Sequence, residues 1–102
     1  VRIIKEKFLK DAAARHPKAA SQLIAWRKVV LAATWRNLVE VRGTFPSADP
    51  VRVESDHNVY VFNICGNDFR LVAAIHFNTQ CIFTLRFLTH AEYSKNKWKL
   101  DL

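Results

Sequence analysis

The sequence predicts an α+β fold in two layers, an N-terminal helical hairpin packed on a small, mostly antiparallel sheet. Three observations carry the prediction. Apolar residues recur at helical spacing through the first third of the chain. From Val59 onward they alternate, as in strands with one face on a core. Gly66-Asn67 and Asn78-Thr79-Gln80, which tolerate the conformations of tight turns, divide that second region into three strands. Helices grouped before an antiparallel sheet pack as two layers.

The elements follow in order. Val1 to Ile4 is rich in β-branched residues and reads as a short strand. Lys5 to Arg15 reads as a helix, with Phe8, Leu9, Ala12 and Ala13 as its apolar stripe. His16-Pro17 breaks it, because proline disfavours helix in the residue before it yet suits the first turn of a new one. The second helix runs from about Pro17 to Ala33, with Ala20, Leu23, Ile24, Arg27, Val30 and Leu31 near one face and Trp26 at its edge. Trp26 and Trp35 are expected in the core rather than stacked on bases. Asn37 caps a short helix through Val41 that Gly43 stops. Phe45 to Pro50 is turn chemistry, Val51-Arg52-Val53 an irregular strand, and Asp56-His57-Asn58 a turn. Three strands close the pattern. In the middle one, Phe69, Leu71, Ala73, Ile75 and Phe77 face the core, while Arg70, Val72, Ala74 and His76 form a sheet surface open to a charged ligand. The last strand, Cys81 to Leu88, runs into Thr89-His90-Ala91-Glu92-Tyr93.

A chain of 102 residues makes one domain, residues 1–102. Sixteen Lys and Arg against nine Asp and Glu give a net charge of +7, which favours a polyanionic partner: RNA, DNA or an acidic protein. Cys65 and Cys81 lie in expected strands without CxxC spacing, so free, reduced, buried thiols in a cytoplasmic protein are expected, with a cross-strand disulfide the alternative. The charged N-terminus VRIIKEKF is unlike a signal peptide, and no apolar run is long enough to cross a membrane.

Cutting RNA without a metal requires three tasks: deprotonating the 2′-hydroxyl, stabilising charge on the phosphorane, and protonating the leaving 5′-oxygen. Arg or Lys suits the second, and His, Tyr, Lys or a carboxylate the others. Such residues gather late in the chain: Arg70 and His76 on one strand face, Arg86 on the last strand, then His90, Glu92, Tyr93, Lys95 and Lys97. Each has a structural alternative. Arg70 also fits a surface ion pair with Asp68 or Glu92, His90 a strand cap, Tyr93 a ring packed on the sheet, Asn63 a strand-edge hydrogen bond, and Lys95 and Lys97 a solvated tail. His76 lies at the far end of its strand. With no HExxH, no CxxC and no carboxylate cluster, neither a metal nor another cofactor is expected.

FNICGNDFRL followed by RFLTHAEYSK resembles the HigB family of bacterial toxins, within the RelE-like group of ribosome-associated messenger RNA endonucleases. The resemblance is strongest over residues 59–97 and extends to Trp26, Trp35, Phe45-Pro46 and the Ala48-Asp49 region. It implies a RelE-like two-layer fold and a toxin that cleaves mRNA on the ribosome without a metal. It also implies a HigA-like antitoxin with a helix-turn-helix domain, which brings the pair to operator DNA, and no membrane partner. On the matching positions it implies Arg70 for phosphate charge, His90 for proton transfer and Tyr93 for positioning or proton transfer. Asn63, His76, Arg86, Lys95 and Lys97 are the expected RNA contacts. The rival readings are a ParE-like, non-catalytic gyrase poison and a plain RNA-binding module.

Overall fold

The computed structural model describes all 102 residues. The chain enters on β1 (Arg2–Ile4) and turns into α1 (Glu6–Arg15). A 3₁₀ turn, Pro17–Ala19, leads into α2 (Ala20–Ala32), and α3 (Leu38–Thr44) follows. Then come β2 (Asp49–Arg52), β3 (Asn58–Ile64), β4 (Phe69–His76) and β5 (Cys81–Thr89). A last helix, α4 (His90–Ser94), and a 3₁₀ turn, Lys97–Asp101, finish the chain. The five strands form one sheet in the order β1-β5-β4-β3-β2, antiparallel throughout except that β1 runs parallel to β5.

The main core lies between the helices and one sheet face. Leu9 and Ala12 of α1 and Leu23, Trp26 and Val30 of α2 meet Phe62, Leu71, Ala73, Ile82 and Phe87 of the sheet. The buried stripe of α2 is rotated from the expected one: Leu23, Trp26 and Val30 point inward, while Ile24 is 67% exposed and Leu31 is also exposed. Several apolar stripes were open to this helix, and the large indole decides among them. Trp26 packs edge-on to Phe62 and stacks with Phe45, at ring centroid separations of 5.5 and 6.4 Å. Its indole N–H is buried without an acceptor. Trp35 is also core, as expected, its indole N–H donating to Thr44 Oγ1 at 3.1 Å.

Three boundaries differ from expectation for identifiable reasons. Asn37 does cap α3, accepting from the Glu40 N–H, but the helix passes Gly43 and ends at Thr44. The stop is Phe45, extended at φ −124° as the residue before Pro46 prefers. The strand expected at Val51–Val53 begins earlier, at Asp49, and Pro50 is tolerated because β2 is an edge strand. In the second turn the left-handed residue is Gln80, φ 54°, rather than Asn78. Gln80 is fixed there because its side chain accepts from the Trp35 N–H at 3.0 Å and donates to the carbonyls of Trp35 and Phe77. Gly66 adopts φ 65° in the β3–β4 turn, as its sequence position required.

The other sheet face is also different from expectation. It is not an open surface: Val59, Val61 and Val72 on it are buried with Val53 under Trp98 of the final turn. The backbone N–H of Glu54 donates to the Lys99 carbonyl at 3.0 Å, tying the tail across the sheet. The cysteines are only partly buried, and Cys65 sits in the β3–β4 turn, not in a strand. They lie at opposite ends of β4, about 20 Å apart at ~3.3 Å per residue, so no disulfide joins them.

Candidate active site

The tail and Trp98 leave one end of that second face open. Strand register sets what lies there. Asp49 pairs with Val61, and Asn63, two residues on, pairs with Arg70. Alternation therefore puts Asp49, Val61, Asn63 and Arg70 on one face as neighbours. They form the floor of a cleft of about 380 Å³, walled by Arg42, Pro46, Ser47 and Ala48 on one side and Tyr93 on the other.

Arg70 is the centre of the cleft. It is only 9% exposed and forms no salt bridge. Its Nη1 donates to the Phe69 carbonyl at 3.1 Å and its Nη2 to Asn67 Oδ1 at 3.3 Å. The carboxylates expected as alternative partners are engaged elsewhere: Asp68 pairs with Lys18, and Glu92 with the backbone of Thr89. The guanidinium carbon lies 5.6 Å from the centroid of the Tyr93 ring, a cation–π contact that orients it.

Tyr93 is held from three directions. Thr89 and Glu92 form a reciprocal capping box at the start of α4. The His90 N–H donates to the Asp68 carbonyl at 3.0 Å, pinning α4 to the β3–β4 turn. Trp98 stacks on the ring at 5.3 Å and 20°, and its indole N–H donates to the Tyr93 carbonyl at 3.1 Å. Burial pushes the Tyr93 hydroxyl above its ordinary range, Asp49 pushes the same way, and Arg70 pulls against both. The phenol is therefore protonated at neutral pH and can donate a proton or a hydrogen bond.

Of the residues singled out by sequence, the fold thus brings Arg70, Tyr93 and Asn63 together. His90 precedes Tyr93 by three positions on α4 but is exposed and does not line the cleft. His76 shares the sheet face of Arg70 from six residues along β4, about 20 Å away, and borders a different cavity with His57. Arg86, opposite Val72 on β5, is half-buried and donates to the Leu85 carbonyl. Lys95 and Lys97 are exposed on the tail outside the cleft lining. Arg42, Ser47 and Asp49 also line the cleft and were not singled out by sequence. Only register could have revealed Asp49, whose pairing with Val61 sets it beside Asn63. Arg42 shapes the wall: its Nε donates to the Ala48 carbonyl at 3.0 Å, and its Nη2 lies 3.9 Å from Asp49 Oδ1.

A buried guanidinium without an ion-pair partner suits an anion, and the protonated phenol beside it can donate a proton. A family model described as HigB_toxin, RelE-like toxic component of a toxin-antitoxin system, matches residues 19–96. The chain is 33% identical over 91 residues to the mRNA interferase toxin HigB of Escherichia coli (strain K12), covering 89% of this chain and 86% of that protein. The mRNA interferase HigB of Shigella flexneri matches to the same extent. That of Escherichia coli O6:H1 is 28% identical over 93 residues, covering 91% of this chain and 88% of that protein.

Proposed function

The chain belongs to the HigB family of RelE-like toxins of toxin–antitoxin systems, and from that premise we propose that it is an endoribonuclease that cuts messenger RNA on the ribosome and so stops translation. The observation that carries this reading is Arg70, a buried cation without a counter-ion, opening into a cleft that Tyr93 closes. In this reading the scissile phosphate supplies the missing counter-ion. Arg70 meets the charge that grows on phosphorus as the 2′-oxygen attacks, which favours the transition state over the ground state. Tyr93, protonated at neutral pH, gives its proton to the more basic departing 5′-oxygen. Asn63 offers an amide to a non-bridging oxygen. Cleavage proceeds without a metal. Lys95 and Lys97 meet flanking phosphates.

The partners are mRNA, the ribosome and an antitoxin. The antitoxin is HigA-like with a helix-turn-helix domain and carries the pair to operator DNA. The gyrase-poison and plain RNA-binding readings find no support among the relatives, four of which carry the name mRNA interferase. The test is cleavage by purified protein of a defined message on programmed ribosomes. The reading expects new RNA ends from the unsubstituted protein and none above background from Arg70→Ala. Equal cleavage by Arg70→Ala would refute the role of Arg70.

A further inference from the structure

We infer that Asp49, rather than His90, which sequence reasoning offered for proton transfer, takes the proton from the attacking 2′-hydroxyl. The inference rests on the endonuclease reading above and deepens it. Asp49 is the only carboxylate that lines the cleft. The other polar side chains there are two guanidiniums, an amide, a hydroxyl and a protonated phenol, none of which accepts a proton readily at neutral pH.

Its placement is also right. Pairing with Val61 sets Asp49 on the face of Asn63 and Arg70, and its charge is felt by the Tyr93 hydroxyl. The contact with Arg42 is long, 3.9 Å, so the carboxylate keeps its lone pairs free. A phosphate seated on Arg70 thus has Asp49 on the β2 side and Tyr93 on the α4 side. Asp49 removes the 2′-hydroxyl proton and the 2′-oxygen bonds to phosphorus. The bond from phosphorus to the 5′-oxygen breaks, and that oxygen takes the Tyr93 proton. The products are a 2′,3′-cyclic phosphate and a 5′-hydroxyl, and proton exchange with water restores Asp49 and Tyr93.

Asp49→Asn tests this, since it keeps the size of an exposed side chain while removing its basicity and its charge. Single-turnover cleavage on programmed ribosomes and affinity for those ribosomes are measured together. The expected result is a loss of about 100-fold or more in rate, with affinity unchanged or tighter, because a negative charge has left a site for phosphate. Asp49→Glu, which restores a carboxylate, should recover at least about tenfold over Asn on the same scale. A rate within about tenfold of the unsubstituted protein, or a loss of affinity that accounts for the loss of rate, overturns the assignment. Absence of any cleavage by the unsubstituted protein removes the endonuclease reading, and this inference with it.

Discussion

Burying the charge of Arg70 without a carboxylate works against folding, because only two of its donors are satisfied inside the protein. Function and stability should therefore separate at this residue. Arg70→Met is expected to melt at or above the parent's midpoint by circular dichroism while cleavage falls by about 100-fold or more. A clear drop in melting temperature would mean that Arg70 is structural. Sequence reading singled out Arg70 and Tyr93, which the fold brings into one cleft, because their residue types carry chemistry wherever they stand. It passed over Asp49, which also lines the cleft, because a lone carboxylate in a proline-flanked turn has no local signal. Only the β2–β3 register gives that carboxylate its neighbours. His90 was favoured for its chemistry, yet its side chain lies outside the cleft lining.

At the scale of elements, α4 and the final turn act as a clamp on Tyr93. Five residues make a marginal helix, so its capping box and Trp98 carry its stability. Thr89→Ala should cost about 1 kcal/mol and Trp98→Ala about 3–5 kcal/mol, both read by denaturant unfolding. Both should slow cleavage more than they weaken RNA binding. The Thr89 N–H chiefly, against an opposing effect of burial, holds the Glu92 carboxyl below the usual carboxylate range. A lowered folded pKa contributes stability that is present above the unfolded carboxylate range and lost as pH falls through the folded value. α4 should therefore loosen at acid pH, seen as a change in the near-ultraviolet signal of the Tyr93–Trp98 stack, and Glu92→Gln should lack that step. The strands, α1 and the Asn37 cap were legible because period and capping are local. The inward face of α2 was not, since it depends on which stripe meets Phe45 and Phe62. Nor was the cover of the second sheet face, which depends on where the tail folds back.

Across the whole molecule, the helices and the tail cover the two sheet faces and leave a polar cleft at one end. The net charge of +7 gives the molecule a long-range attraction for polyanions such as RNA. Affinity for RNA-loaded ribosomes should fall steeply as salt rises, and charge removal at Lys95 and Lys97 should flatten the slope by about one unit for each phosphate no longer neutralised. The order of helices before strands made the α+β class legible. The parallel pairing of β1 with β5 was not, because it joins opposite ends of the chain. The most direct measurement is mapping of RNA 5′ ends after folded protein is added to a defined message, with and without programmed ribosomes. New ends only when ribosomes are present are the predicted result. Intact RNA in both samples would contradict it.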